Sequence, residues 1–164
     1  GPEAYRMLGN DGSSQAVTYK TPFDAYAEET TGLINNSLTY ARFLRLDFTA
    51  PETANYKITC HFMWSLDVGN SDFRSKLELD NTTEIGYRRQ IHEPKDAAGN
   101  GETLGIVGGG TANTGTNQRY PATITRVLNI TQGVHFIGLD WSCSIANTRA
   151  SIYGANILVE KMQS

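Results

Sequence analysis

Three histidines, His61, His92 and His135, are the first residues to ask about chemistry, because imidazole is both the commonest metal ligand and the usual general base near neutral pH. They are far apart in the chain, with no His-x-His or His-Glu-x-x-His spacing, so nothing in the pattern gathers them around zinc. Ser142, His135 and Asp140 contain the side-chain types of a nucleophilic triad. On one strand, however, they alternate between faces and cannot converge. A glycosidase needs two carboxyls facing each other across a cleft, and the acidic pairs Glu93/Asp96 and Asp80/Glu84 read as solvated turns instead. Asp96 to Glu102 has oxygen ligands and glycines but not the twelve-residue calcium-loop pattern, and Gly108-Gly109-Gly110 lacks the Lys-Ser/Thr of a phosphate loop. Asn35, Asn81 and Asn129 open Asn-x-Ser/Thr sequons, which matter only in a eukaryotic secretory pathway. The sequence therefore predicts a non-enzymatic protein with no cofactor and no required metal.

The elements that would position such residues are strands. The 164 residues are 39% hydrophobic with a formal charge of −3, the composition of one folded domain without the basic field a nucleic-acid partner needs. No apolar run approaches the roughly 20 residues that span a bilayer, so membrane insertion is not expected. The start at Gly1-Pro2 reads as a cleaved tag or a piece of something longer. Cys60 and Cys143 lie in neither a metal nor a redox spacing, each among alternating apolar neighbours, and are expected as two buried free thiols rather than a disulfide.

Period-two alternation predicts strands over 16–19, 42–48, 56–66, 73–79, 84–92, 122–130, 134–143 and 151–160, separated by turn-forming clusters such as Asp80-Asn81-Thr82 and Thr131-Gln132-Gly133. The last of these turns reads as the tip of a hairpin. Residues 24–31 are the nearest thing to a helical window, and it is short. The fold class is all-β, a two-sheet antiparallel sandwich, with Leu44, Leu46, Phe48, Ile58, Phe62, Trp64, Leu77, Leu79, Ile137, Leu139 and Trp141 as its core. In the final strand both parities are apolar, Ala150, Ile152 and Leu158 on one and Tyr153, Ala155, Ile157 and Val159 on the other. A strand buried on both faces requires a third layer, which another subunit would supply.

Residues 91–118 break the rhythm, with seven glycines from Gly99 onward. Loops this long usually carry function or are disordered. Pro94 and Pro121 stop the flanking ladders, and Arg119 is expected to bridge Glu93 or Asp96 and pin the base of the loop. Leu104, Ile106, Val107 and Tyr120 are candidate contacts to a partner.

"LDFTAPETANYKITCHFMW", "RVLNITQGVHFIGLDW" and "ASIYGANILVEKM" resemble, in that order, successive strands of tumour necrosis factor-like and complement-type globular heads. With "LELDNTTEI", "HEPKD" and "GTNQRYPATI" between them, the arrangement is also similar to jelly-roll domains of bacteriophage tail fibres, spikes and capsid decorations, over residues 40–164. Residues 1–39, an N-terminal segment with the first strands, carry no such resemblance. The resemblance implies a ten-strand jelly roll in a single domain, a homotrimer with the sheet of first, last, third and sixth strands facing the three-fold axis, and a place on the virion surface. Partners would be other virion proteins or a host receptor or glycan, and Tyr153, Ala155, Ile157 and Val159 would lie at the trimer interface. Two further readings stand beside it: a carbohydrate-binding module stacking sugars on Tyr87, Tyr120 or Tyr153, and a secreted receptor-binding head.

Overall fold

The computed structural model describes residues 7–10, 17–20, 22–66, 71–89 and 119–163, with backbone only for 7–10, 17–20 and 87–89. Asp96 to Glu102, Gly108-Gly109-Gly110, His92, Glu93, Leu104, Ile106 and Val107 lie outside the described residues, as does the side chain of Tyr87.

Among the described residues ten strands run β1 (Met7–Asn10), β2 (Val17–Lys20), β3 (Asp24–Asn35), β4 (Ala41–Ala50), β5 (Ala54–Leu66), β6 (Phe73–Leu79), β7 (Thr83–Arg89), β8 (Tyr120–Ile130), β9 (Gly133–Cys143) and β10 (Ala150–Lys161). The first two pair with each other. The other eight form two antiparallel four-stranded sheets, β3-β10-β5-β8 and β4-β9-β6-β7. Of these eight, the first sheet holds the first, last, third and sixth, which is the double Greek key of a jelly roll. The framework therefore takes its first strand from within residues 1–39.

Alternation produces this sandwich because each strand has one apolar parity to bury. All eleven expected core residues are buried, and Ile58, Leu77, Ile137 and Leu139 are fully so. Ile137, Leu139 and Trp141 of β9 line the second sheet's inner wall and Ile58, Phe62 and Trp64 of β5 the first's, with Phe73 stacked on both Trp64 and Phe62. Cys60 and Cys143 are buried free thiols, and burial pushes the Cys60 thiol up to about 12.

One local expectation fails. Thr131-Gln132-Gly133 does not close a hairpin, because β8 pairs with β5 while β9 pairs with β4 and β6, so the turn carries the chain between sheets. The tight hairpin of the sandwich is β6–β7. Its Asp80 and Asn81 sit at φ 54° and 57°, values these two residue types tolerate and a primed turn requires. The topology sorts the connections by end. The turns 51–53, 80–82 and 131–132 lie together at one end, and residues 36–40, 71–72 and 144–149 at the other.

Candidate interaction faces

Paired residues of neighbouring strands share a face, so the register gives the outer surface of the first sheet. One row is Tyr26, Leu158, Thr59 and Thr125; the next is Glu28, Asn156, His61 and Thr123. Tyr26 is 55% exposed, and its hydroxyl donates to Glu28 Oε2 at 3.0 Å, a bond that raises the phenol's pKa. His61 Nδ1 lies 2.9 Å from Thr123 Oγ1. Tyr153 stands opposite Gly32 and Met63. A Cβ on Gly32 would come within 2.7 Å of the Tyr153 ring, so the missing side chain lets the ring lie against β3.

Arg119 and Tyr153, far apart in sequence, meet here. The guanidinium carbon lies 3.8 Å from the ring centroid, and the Tyr153 hydroxyl is 3.3 Å from Ser65 Oγ. Tyr120 is half-buried, its ring 4.9 Å from that of Trp64. Both tyrosines thus have ring partners already, which a sugar-stacking platform would have to displace.

The expectation that Ala155, Ile157 and Val159 lie on an interface needs correcting. All three point into their own sandwich, at 2%, 0% and 0% exposure, and Ile152 of the opposite parity joins them at 0%. The cause is a bulge. Register with both neighbours shifts after Tyr153, where Gly154 takes φ +33°, and the inward set changes parity at that point. One core therefore accepts both apolar sets, and the third-layer argument loses its basis. Of the four expected interface residues, Tyr153 alone faces outward.

The outer face of the second sheet is a lattice of paired charges. Arg42 bonds Asp140, and its other nitrogen reaches Asn81 Oδ1 at 2.7 Å. Its guanidinium occupies the space where a Cβ on Gly138 would stand. Arg45 lies 3.8 Å over the Phe136 ring and donates to Asp47 at 2.7 Å, which holds the exposed Asp47 carboxyl below its ordinary range. Lys76 pairs with Glu78 at 3.1 Å and covers the Tyr40 ring. Among these described side chains positive and negative groups alternate.

The triad residues do not converge: alternation sets His135 on the other parity from Asp140 and Ser142, and each has separate surroundings. His135 bonds Asp80, Asp140 bonds Arg42, and Ser142 is fully buried. Among the described residues no three His, Cys, Asp or Glu side chains are grouped to hold a metal.

No protein-family profile and no curated protein sequence matches the chain. Solved structures do. A subviral particle of infectious bursal disease virus VP2 matches over 94% of this chain and 37% of that one, at 13% identity and a TM-score of 0.51. Dimeric latent PorU from Porphyromonas gingivalis matches over 95% of this chain and 14% of that one, at 10% identity and 0.51. The C-terminal CBM6 of LamC, a marine laminarinase from Zobellia galactanivorans, matches at 16% identity over 84% of this chain and 98% of that one, but its TM-score of 0.33 carries no argument. The chain spans little more than a third of the VP2 chain, and at these identities the likeness is one of fold. The fold is the two-sheet jelly roll that viral capsid proteins also use.

Proposed function

We propose that this chain is a non-enzymatic structural or attachment domain of a virus particle, displayed at the surface of a bacteriophage virion and assembled as a homotrimer through the outer face of its first sheet. The observation that carries the reading is the contrast between the two faces. On the outer face of the second sheet Arg42, Arg45 and Lys76 are paired within the chain and Val134 is the exposed large apolar residue, whereas the outer face of the first sheet presents Tyr26, Ile34 and Val127 at roughly half exposure on its edge strands and half-buried Leu158 between them. Exposed apolar side chains grouped on one side mark surfaces that other subunits cover. The likeness to a capsid jelly roll supports the same reading, at the level of fold.

The test is light scattering coupled to size-exclusion chromatography on the whole chain. The expected result is a mass three times the protomer's, reduced by Leu158→Asp with the β-sheet circular dichroism spectrum unchanged. A monomeric unmutated chain overturns the trimer and removes the main ground for a virion role.

A further inference from the structure

His135, at the end of the sandwich where the three short turns gather, has an acceptor at each ring nitrogen. Nδ1 lies 2.7 Å from Asp80 Oδ2, and Nε2 lies 2.8 Å from the Thr131 carbonyl oxygen. A carboxylate and a backbone carbonyl can only accept, and the Thr131 hydroxyl, which could donate to Nε2, lies farther off at 3.5 Å, so making both short bonds takes both ring nitrogens carrying hydrogen, the imidazolium form. We propose that His135 is a protonated latch that fastens the β6–β7 turn to the β8–β9 turn and releases them when it loses its proton.

The latch joins the two sheets. Thr131 follows β8 of the first sheet, while Asp80 follows β6 of the second. Asp80 cannot swing aside, because its amide donates to the Phe136 carbonyl and its Oδ1 accepts from the Phe136 amide, each at 2.9 Å. The third turn is tied in by Gln132 N donating to Thr53 Oγ1 at 2.9 Å. From β4, the Phe48 ring sits 5.8 Å from the imidazole, a contact that favours the cation. Also from β4, Arg45 acts on Asp80 and opposes the imidazolium, while Asp47 spends its own charge on Arg45.

Geometry and titration agree in direction. Burial of the ring disfavours its charge, but the Asp80 bond, the Thr131 carbonyl and the Asp80 charge together hold its pKa above the ordinary 6.5. A group whose folded pKa is raised contributes stability that is complete below its unfolded value and lost as pH rises through the folded one. The latch is closed in acid to neutral solution and opens on the alkaline side.

Nitrogen-15 imidazole spectra of the whole chain test this directly. Both His135 nitrogens are expected to be protonated at pH 6.5, with a titration midpoint above that pH, and Asp80→Asn should lower the midpoint. A neutral tautomer at pH 6.5 in the unmutated protein overturns the latch. Thermal melting provides a second readout: the destabilisation by Asp80→Asn should shrink between pH 5.5 and pH 9, and a loss equal at both values overturns it as well.

Discussion

Ile157 and Leu158 are adjacent residues of β10 with opposite surroundings. Ile157 is fully buried opposite Cys60 and Ala27, while Leu158 lies in the outer row between Tyr26 and Thr59. A carboxylate at 157 would stand in an apolar core without a partner, one of the few single changes expected to cost about 4 kcal/mol or more. Ile157→Asp is therefore expected to unfold the protomer whatever its state of assembly. Leu158→Asp, on the solvent side, should shift protomer stability by roughly 0.5 kcal/mol. Urea denaturation at a concentration where the chain is monomeric separates the two, and comparable losses would mean that the parity assigned after the bulge is wrong. A charge at 157 therefore reports on the core and not on an interface.

At the scale of the element, that parity depends on Gly154. Its φ of +33° lies where L side chains are strained, yet a Cβ there would meet nothing closer than 3.9 Å. Gly154→Val therefore tests backbone strain with little steric confusion, and a loss of about 1–2 kcal/mol is expected from urea denaturation. A neutral result would show that β10 can redistribute the bulge. A glycine inside an otherwise apolar strand is a known sign of a bulge, so this feature was available in the sequence, where parity was instead carried through unbroken. Residues 73–79 showed their strand plainly because Phe73, Leu77 and Leu79 face the core and charged residues alternate with them. β3 was obscured because its inward residues include Ala25 and Ala27, its outward ones Tyr26 and Glu28, and alanine and glutamate favour helices. For an edge strand, small residues inside and large ones outside invert the usual signal. Thr131-Gln132-Gly133 marked a turn correctly, but turn chemistry does not say which sheet the next strand joins. The Arg119–Tyr153 contact had no local signature, since it depends on β8 and β10 flanking β5 in one sheet.

Across the whole molecule, the two thiols report on different modes of opening. Cys60 lies mid-strand in β5, between β10 and β8, with its side chain in the core, so reagent reaches it only when the sheets part. Its raised pKa further suppresses the reactive thiolate. Cys143 is the last residue of β9, covered by the segment joining β3 to β4: its amide donates to the Ser37 carbonyl, and its Sγ lies 3.2 Å from the same oxygen. Lifting that short segment exposes Cys143 while the core stays closed, and such local openings cost less than global unfolding. Under native conditions both thiols should resist a disulfide reagent over minutes. Below the urea midpoint Cys143 should label first, at a rate that depends weakly on urea, whereas Cys60 labelling should follow the global unfolding curve. Peptide mapping of the labelled chain resolves the order. Equal rates would mean that the segment over Cys143 opens only with the whole sandwich, and faster labelling of Cys60 would contradict the central position of β5 in the first sheet.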